Sequence, residues 1–68
     1  MKYLKLTSDF ENKKFVIEED FPEVGVYLLV YDEGRCIYDC LQDNIEACKA
    51  VAFEEYNVPL DAWNISTE

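Results

Sequence analysis

The stretch that decides the fold is Val24-Gly25-Val26-Tyr27-Leu28-Leu29-Val30-Tyr31, followed by Asp32-Glu33-Gly34 and then Arg35-Cys36-Ile37-Tyr38-Asp39-Cys40-Leu41. Successive side chains of a strand point to opposite faces, so residues 24–31 set Val24, Val26, Leu28 and Val30 on one face and Tyr27, Leu29 and Tyr31 on the other. Both faces are apolar. That predicts a strand inside a sheet, with a helix over one side and some other cover, or a partner, over the aromatic side. Gly34 supplies the positive φ of a tight hairpin bend, and residues 35–41 return as a strand with Cys36, Tyr38 and Cys40 on one face and Ile37 and Leu41 on the other.

Upstream, Lys2, Leu4 and Leu6 alternate with Tyr3, Lys5 and Thr7, the pattern of a short strand over 2–7. Residues 8–13 break it with Asp9, Glu11 and Asn12 and are expected to form a polar turn. Phe15-Val16-Ile17 marks a strand over 14–19. Glu18, Glu19, Asp20 and Glu23 gather around Pro22 and predict an exposed acidic loop.

Downstream, Asp43 and Glu46 have the spacing of a box that opens a helix. Ile45, Cys48, Val51, Ala52 and Tyr56 then recur on one face, which predicts an amphipathic helix over about 44–56. Asn57 suits the left-handed residue that ends a helix, and Pro59 prevents its continuation. The tail over 58–63 holds Val58, Leu60 and Trp63 and should fold back on the domain, while residues 64–68 are expected to fray. The whole is a single α+β domain over 1–68. An antiparallel sheet of three to four strands is followed by one C-terminal helix packed on one face, in the order β-β-β-β-α.

Sixty-eight residues allow one domain, and a chain that is 50% hydrophobic is too apolar to stay disordered despite a net charge of −9. The core of a domain this size is small and its stability marginal. Histidine is absent, which removes the usual proton shuttle and the commonest metal ligand. With only Gly25 and Gly34, neither a phosphate-cradling loop nor a dinucleotide fingerprint can be written. The longest uncharged run is residues 24–31, far short of the ~20 residues that span a bilayer. The N-terminal residues carry no secretory pattern, so a cytoplasmic location is expected.

The charge is uneven. Lys2, Lys5, Lys13 and Lys14 face Asp9 and Glu11 within residues 1–14, whereas residues 15–68 set thirteen acids against Arg35 and Lys49. An anionic body is repelled by nucleic-acid phosphate and anionic lipid, which argues against direct nucleic-acid or membrane binding. A basic protein is attracted instead, although an acidic surface also serves solubility alone.

Three groups of residues bear on chemistry. Cys36, Cys40 and Cys48 lack a fourth ligand, and Cys36 and Cys40 would lie ~13 Å apart along a strand, so buried packing is the expected role and no metal or cofactor is called for. Carboxylate pairs such as those among Asp32, Glu33 and Asp39 are inevitable in so acidic a chain, and a small sheet-plus-helix leaves little volume for a substrate groove, so no enzymatic activity is expected. The aromatic group is the more telling one. Tyr27 and Tyr31 on the outer sheet face, Tyr38 across the hairpin and Phe53 on the far side of the helix, rimmed by Glu18, Glu19, Asp20, Glu23, Asp32 and Glu33, have the composition of a protein-binding patch. The competing expectation is that the N-terminal strands and the Trp63 tail cover these rings as a second core layer. Two functional readings follow: a non-enzymatic adaptor, inhibitor or immunity-type module for a basic protein, with a second copy of the chain as another candidate partner, or an anionic mimic that blocks a nucleic-acid-handling protein. A small soluble domain with no dedicated partner is the remaining alternative.

Overall fold

The computed structural model describes residues 5–19 and 25–66. Its elements are β1 (Lys5–Phe10), β2 (Lys13–Glu19), β3 (Val26–Asp32), β4 (Arg35–Gln42), α1 (Ile45–Tyr56) and β5 (Asn64–Ser66). The strands form one sheet in the order β4-β3-β2-β1-β5, with every neighbour antiparallel. The α+β layout read from the sequence is therefore the one observed, with a fifth short strand added.

Two hairpins with two-residue turns build most of the sheet. Phe10 pairs with Lys13 across Glu11-Asn12, and Asp32 pairs with Arg35 across Glu33-Gly34. All four turn residues have positive φ, the mirror-image turn whose twist matches that of the flanking strands. Gly34 made the second turn legible. The first lacks a glycine; the polar turn expected over 8–13 is there but confined to Glu11-Asn12, and β1 runs on to Phe10. Alternation simply continues through it: Ser8 is 2% exposed and stands opposite Phe15, while Asp9 points outward. Residues 2–4 of the first expected strand, and Val24 of the third, lie outside the described residues. Glu18 and Glu19 belong to β2 rather than to a loop, and residues 20–23 again lie outside the description.

One face of the sheet carries Leu6, Phe15, Ile17, Val26, Leu28 and Val30, all buried, and α1 closes over β2, β3 and β4 with Cys48 and Ala52. Ile45, Val51 and Tyr56 pack against the same core, as their spacing implies. The helix is capped by Asn44, whose side chain accepts from the Ala47 N–H at 2.8 Å, and not by Asp43. Asparagine places its side-chain oxygen for that bond one position closer to the first helical residue. At the other end Asn57 sits at φ 64, and its N–H donates to the Phe53 carbonyl at 2.9 Å.

The tail turns back under the helix. Val58 is fully buried and the Trp63 ring meets Phe15 edge-on, centroids 6.4 Å apart. This return carries Asn64, Ile65 and Ser66 alongside Thr7, Leu6 and Lys5, so the fraying expected from residue 64 does not occur over β5. Unpaired β1 backbone offers hydrogen bonds that the tail satisfies once Trp63 has anchored it.

Candidate functional site

With α1 and the tail on one side, the other side of the sheet is bare among the described residues. Cross-strand register defines it in three rows. Lys5, Glu18, Tyr27 and Leu41 form the first, Thr7, Val16, Leu29 and Asp39 the second, and Asp9, Lys14, Tyr31 and Cys36 the third. The face divides by chemistry. Over β1 and β2 each lysine stands opposite an acid, Lys5 across from Glu18 and Lys14 across from Asp9. Over β3 and β4 it is apolar: Tyr27, Leu29 and Tyr31 are half-buried, Ile37 and Leu41 are 47% and 48% exposed, and Asp39 is the one charge. Val16 lies where the halves meet and is only 5% exposed, sealed by the side chains around it.

The expectation of a second core layer is not met among the described residues. The N-terminal strands lie in the sheet rather than over it, and Trp63 packs on the helix side. The surface has relief where a sheet-plus-helix of this size was expected to leave little volume for a groove. An open depression of about 790 Å³ runs along the β1–β2 half of the bare face from Lys5 and Glu18 to the turns, with Val16, Leu29 and Tyr31 in its lining.

Tyr38 must be reassigned. A bulge shifts the β3–β4 register between Val30 and Tyr31, so Val30 faces Tyr38 and Tyr31 faces Cys36, leaving Ile37 as the additional residue. Tyr38 thereby sits on the helix side with Tyr56, ring centroids 6.0 Å apart, and does not join Tyr27 and Tyr31. A hydrogen bond to the Cys40 side chain, then the charge of that thiol and burial, raise the Tyr38 pKa above its ordinary value of 10.0. The same bulge breaks the expected Cys36-Tyr38-Cys40 face. Cys36 is exposed on the bare side, its thiol donating to the Tyr38 carbonyl at 3.6 Å, and so is not a core residue.

The other two thiols do lie on the core side. Cys40 is half-buried and accepts from the Gln42 amide nitrogen at 3.4 Å. Cys48 is fully buried and donates to the Val26 carbonyl at 3.5 Å; burial first, and the charge of Cys40 second, push its pKa up to about 11. Among the described residues no three of Cys, Asp and Glu gather closely enough to hold a metal ion, and no helix is long and apolar enough to cross a membrane.

No family model, curated protein or solved structure matches this chain. The site must be read from its own geometry. Of the residues that composition singled out, Tyr27, Tyr31 and Glu18 share the bare face, and Glu33 lies at its turn end. Asp32 closes the second hairpin between Lys13 and Arg35. Glu19 pairs with Val26 toward the helix side, and Phe53, 49% exposed, is on the outer flank of α1. Asp20 and Glu23 lie outside the described residues. Leu29, Ile37 and Leu41 complete the apolar half. The alternation that places Tyr27 and Tyr31 outward places Leu29 with them, so this part of the site was readable; the contribution of β4 depended on the bulge.

Proposed function

We propose that the chain is a small, non-enzymatic protein-binding module that presents the bare face of its sheet to a basic protein partner. The observation that carries this reading is the continuous apolar half of that face, Tyr27, Leu29, Tyr31, Ile37 and Leu41, left without cover among the described residues in a chain of net charge −9. Exposed aromatic and aliphatic side chains with a single charge, Asp39, among them match the charge-poor centre of a protein interface. The acidic excess favours a basic partner through faster encounter and through repulsion of anionic competitors. Two copies of this chain docked face to face would instead bring together two bodies of like charge.

A nucleic-acid mimic is less well supported. Such a mimic needs an uncompensated row of carboxylates, whereas Glu18 and Asp9 each stand opposite a lysine. The test is affinity capture on the immobilised chain at low and high salt, run beside Tyr31→Ala and Phe53→Ala. A basic protein retained at low salt by the wild type and by Phe53→Ala, and lost with Tyr31→Ala, supports the reading. Retention that is indifferent to Tyr31, or no salt-sensitive partner at all, contradicts it.

A further inference from the structure

Of the sheet's two outer strands, β5 is three residues long and β4 is eight. β4 pairs only with β3 among the described residues, so every second residue of it directs its backbone N–H and C=O away from the sheet. Exposed edges are usually blunted by proline, lysine or a bulge. β4 has neither proline nor lysine; its charges are Arg35 beside the turn and Asp39 alone farther along, and its bulge lies at the turn end, which leaves Tyr38–Gln42 in regular register with β3. The edge is also chemically patterned. On the bare face β4 reads Ile37, Asp39, Leu41, one acid between two exposed aliphatic side chains at a period of two.

We infer that the partner engages by adding an extended segment to the outer edge of β4, with a lysine or arginine against Asp39 and apolar side chains two residues to either side against Ile37 and Leu41. This rests on the protein-binding reading above and names the form of the partner. The backbone ladder supplies affinity and the alternate side chains supply selectivity, the division of labour seen when a strand is added to a sheet. A basic residue at the centre matches Asp39, the one charge on that half of the face, as well as the net charge of −9. A second copy fits the same edge poorly. The antiparallel register that sets Ile37 against Leu41 of a second chain also sets Asp39 against Asp39, and like charges directly opposite each other destabilise a strand pair.

The experiment is selection of a random octapeptide display library on the full chain at low salt, followed by affinity and amide hydrogen exchange measured with the enriched peptides. The expected result is peptides with Lys or Arg flanked at two residues on each side by apolar residues, and added protection at alternate amides within β4 on binding. Methylation of alternate backbone nitrogens in such a peptide should weaken it tenfold or more, and Asp39→Lys should shift selection toward a central Asp or Glu. Peptides that bind equally well when methylated, and that leave the β4 amides without added protection, would overturn strand addition and leave the binding face standing. Enrichment without alternation, or a chain that sediments as a dimer through β4, would also overturn it, and no enrichment at all would count against both the edge and the face.

Discussion

Phe15 and Tyr31 are both aromatic strand residues, and replacing each with Ala separates the covered face of the sheet from the bare one. Phe15 is fully buried and meets Tyr56 and Trp63 edge-on at 5.4 and 6.4 Å. Removing a buried Phe ring costs about 3 to 5 kcal/mol, and each edge-on contact adds about 0.5 to 1.5 kcal/mol. Domains below about 70 to 80 residues seldom hold more than about 3 to 5 kcal/mol in total. Phe15→Ala is therefore expected to be unfolded at 25 °C. Tyr31 is half-buried on the bare face, opposite Lys14 and Cys36. With about half the burial of a core aromatic, whose full burial is worth about 1.5 to 3 kcal/mol, its loss costs about 1 kcal/mol. At a urea m-value of about 1 kcal/mol/M, that moves the midpoint down by about 1 M and leaves a cooperative transition. Circular dichroism during urea titration reads both variants. Should Tyr31→Ala unfold as Phe15→Ala does, the bare face is a packed layer and the argument for a docking surface fails.

Four further outcomes follow from particular contacts. Gly25 has φ +117, and a Cβ there would lie 2.5 Å from the Gln42 carbonyl oxygen, whereas Gly34 has φ +81 with open space around it; Gly34→Ala should cost about 1 kcal/mol and Gly25→Ala clearly more, by urea melts. Thiol labelling should modify Cys36 first, Cys40 next and Cys48 only as the protein opens. Folded Cys48 holds its proton up to about pH 11 while the unfolded chain releases it near the ordinary thiol value of 9.0, so this contribution to stability is complete below pH 9 and is lost between about 9 and 11; Cys48→Ala should show a smaller loss over that window. Trp63 Nε1 is buried with no hydrogen-bond partner among the described residues; Trp63→Phe keeps the contact with Phe15 and removes an unmet N–H that costs about 1 to 3 kcal/mol, so its melting temperature should hold or rise.

The sheet and helix were legible because their signals are local. Alternation over residues 24–31, the glycine turn at 34 and the 3.6-residue stripe from Ile45 to Tyr56 each state their geometry within one segment. What could not be read depended on neighbours distant in sequence. Asn64–Ser66 has little strand character of its own and becomes β5 because Trp63 docks on Phe15 and delivers it to the open edge of β1. The turn expected over 8–13 could not be narrowed to Glu11-Asn12 because the residue that adopts positive φ first is a glutamate, for which the conformation is uncommon. The bulge at Ile37 has no marker in the sequence: Cys36 faces Tyr31 through the hairpin register alone, and the bulge turns Tyr38 and Cys40 to the helix side and Asp39 and Leu41 to the bare face. Half of the candidate site, Tyr27, Leu29 and Tyr31, was thus available from period two, and the half on β4 was not.

The central claim is that binding uses the bare face of the sheet. Its most direct test is a titration of the isotopically labelled chain with a basic protein recovered by salt-sensitive capture, followed through backbone and side-chain chemical shifts. The expected perturbations centre on Leu29, Tyr31, Ile37, Asp39 and Leu41, with Lys49, Phe53 and Leu60 unmoved. Perturbations centred on Lys49, Phe53 and Leu60, with the bare face silent, would contradict it.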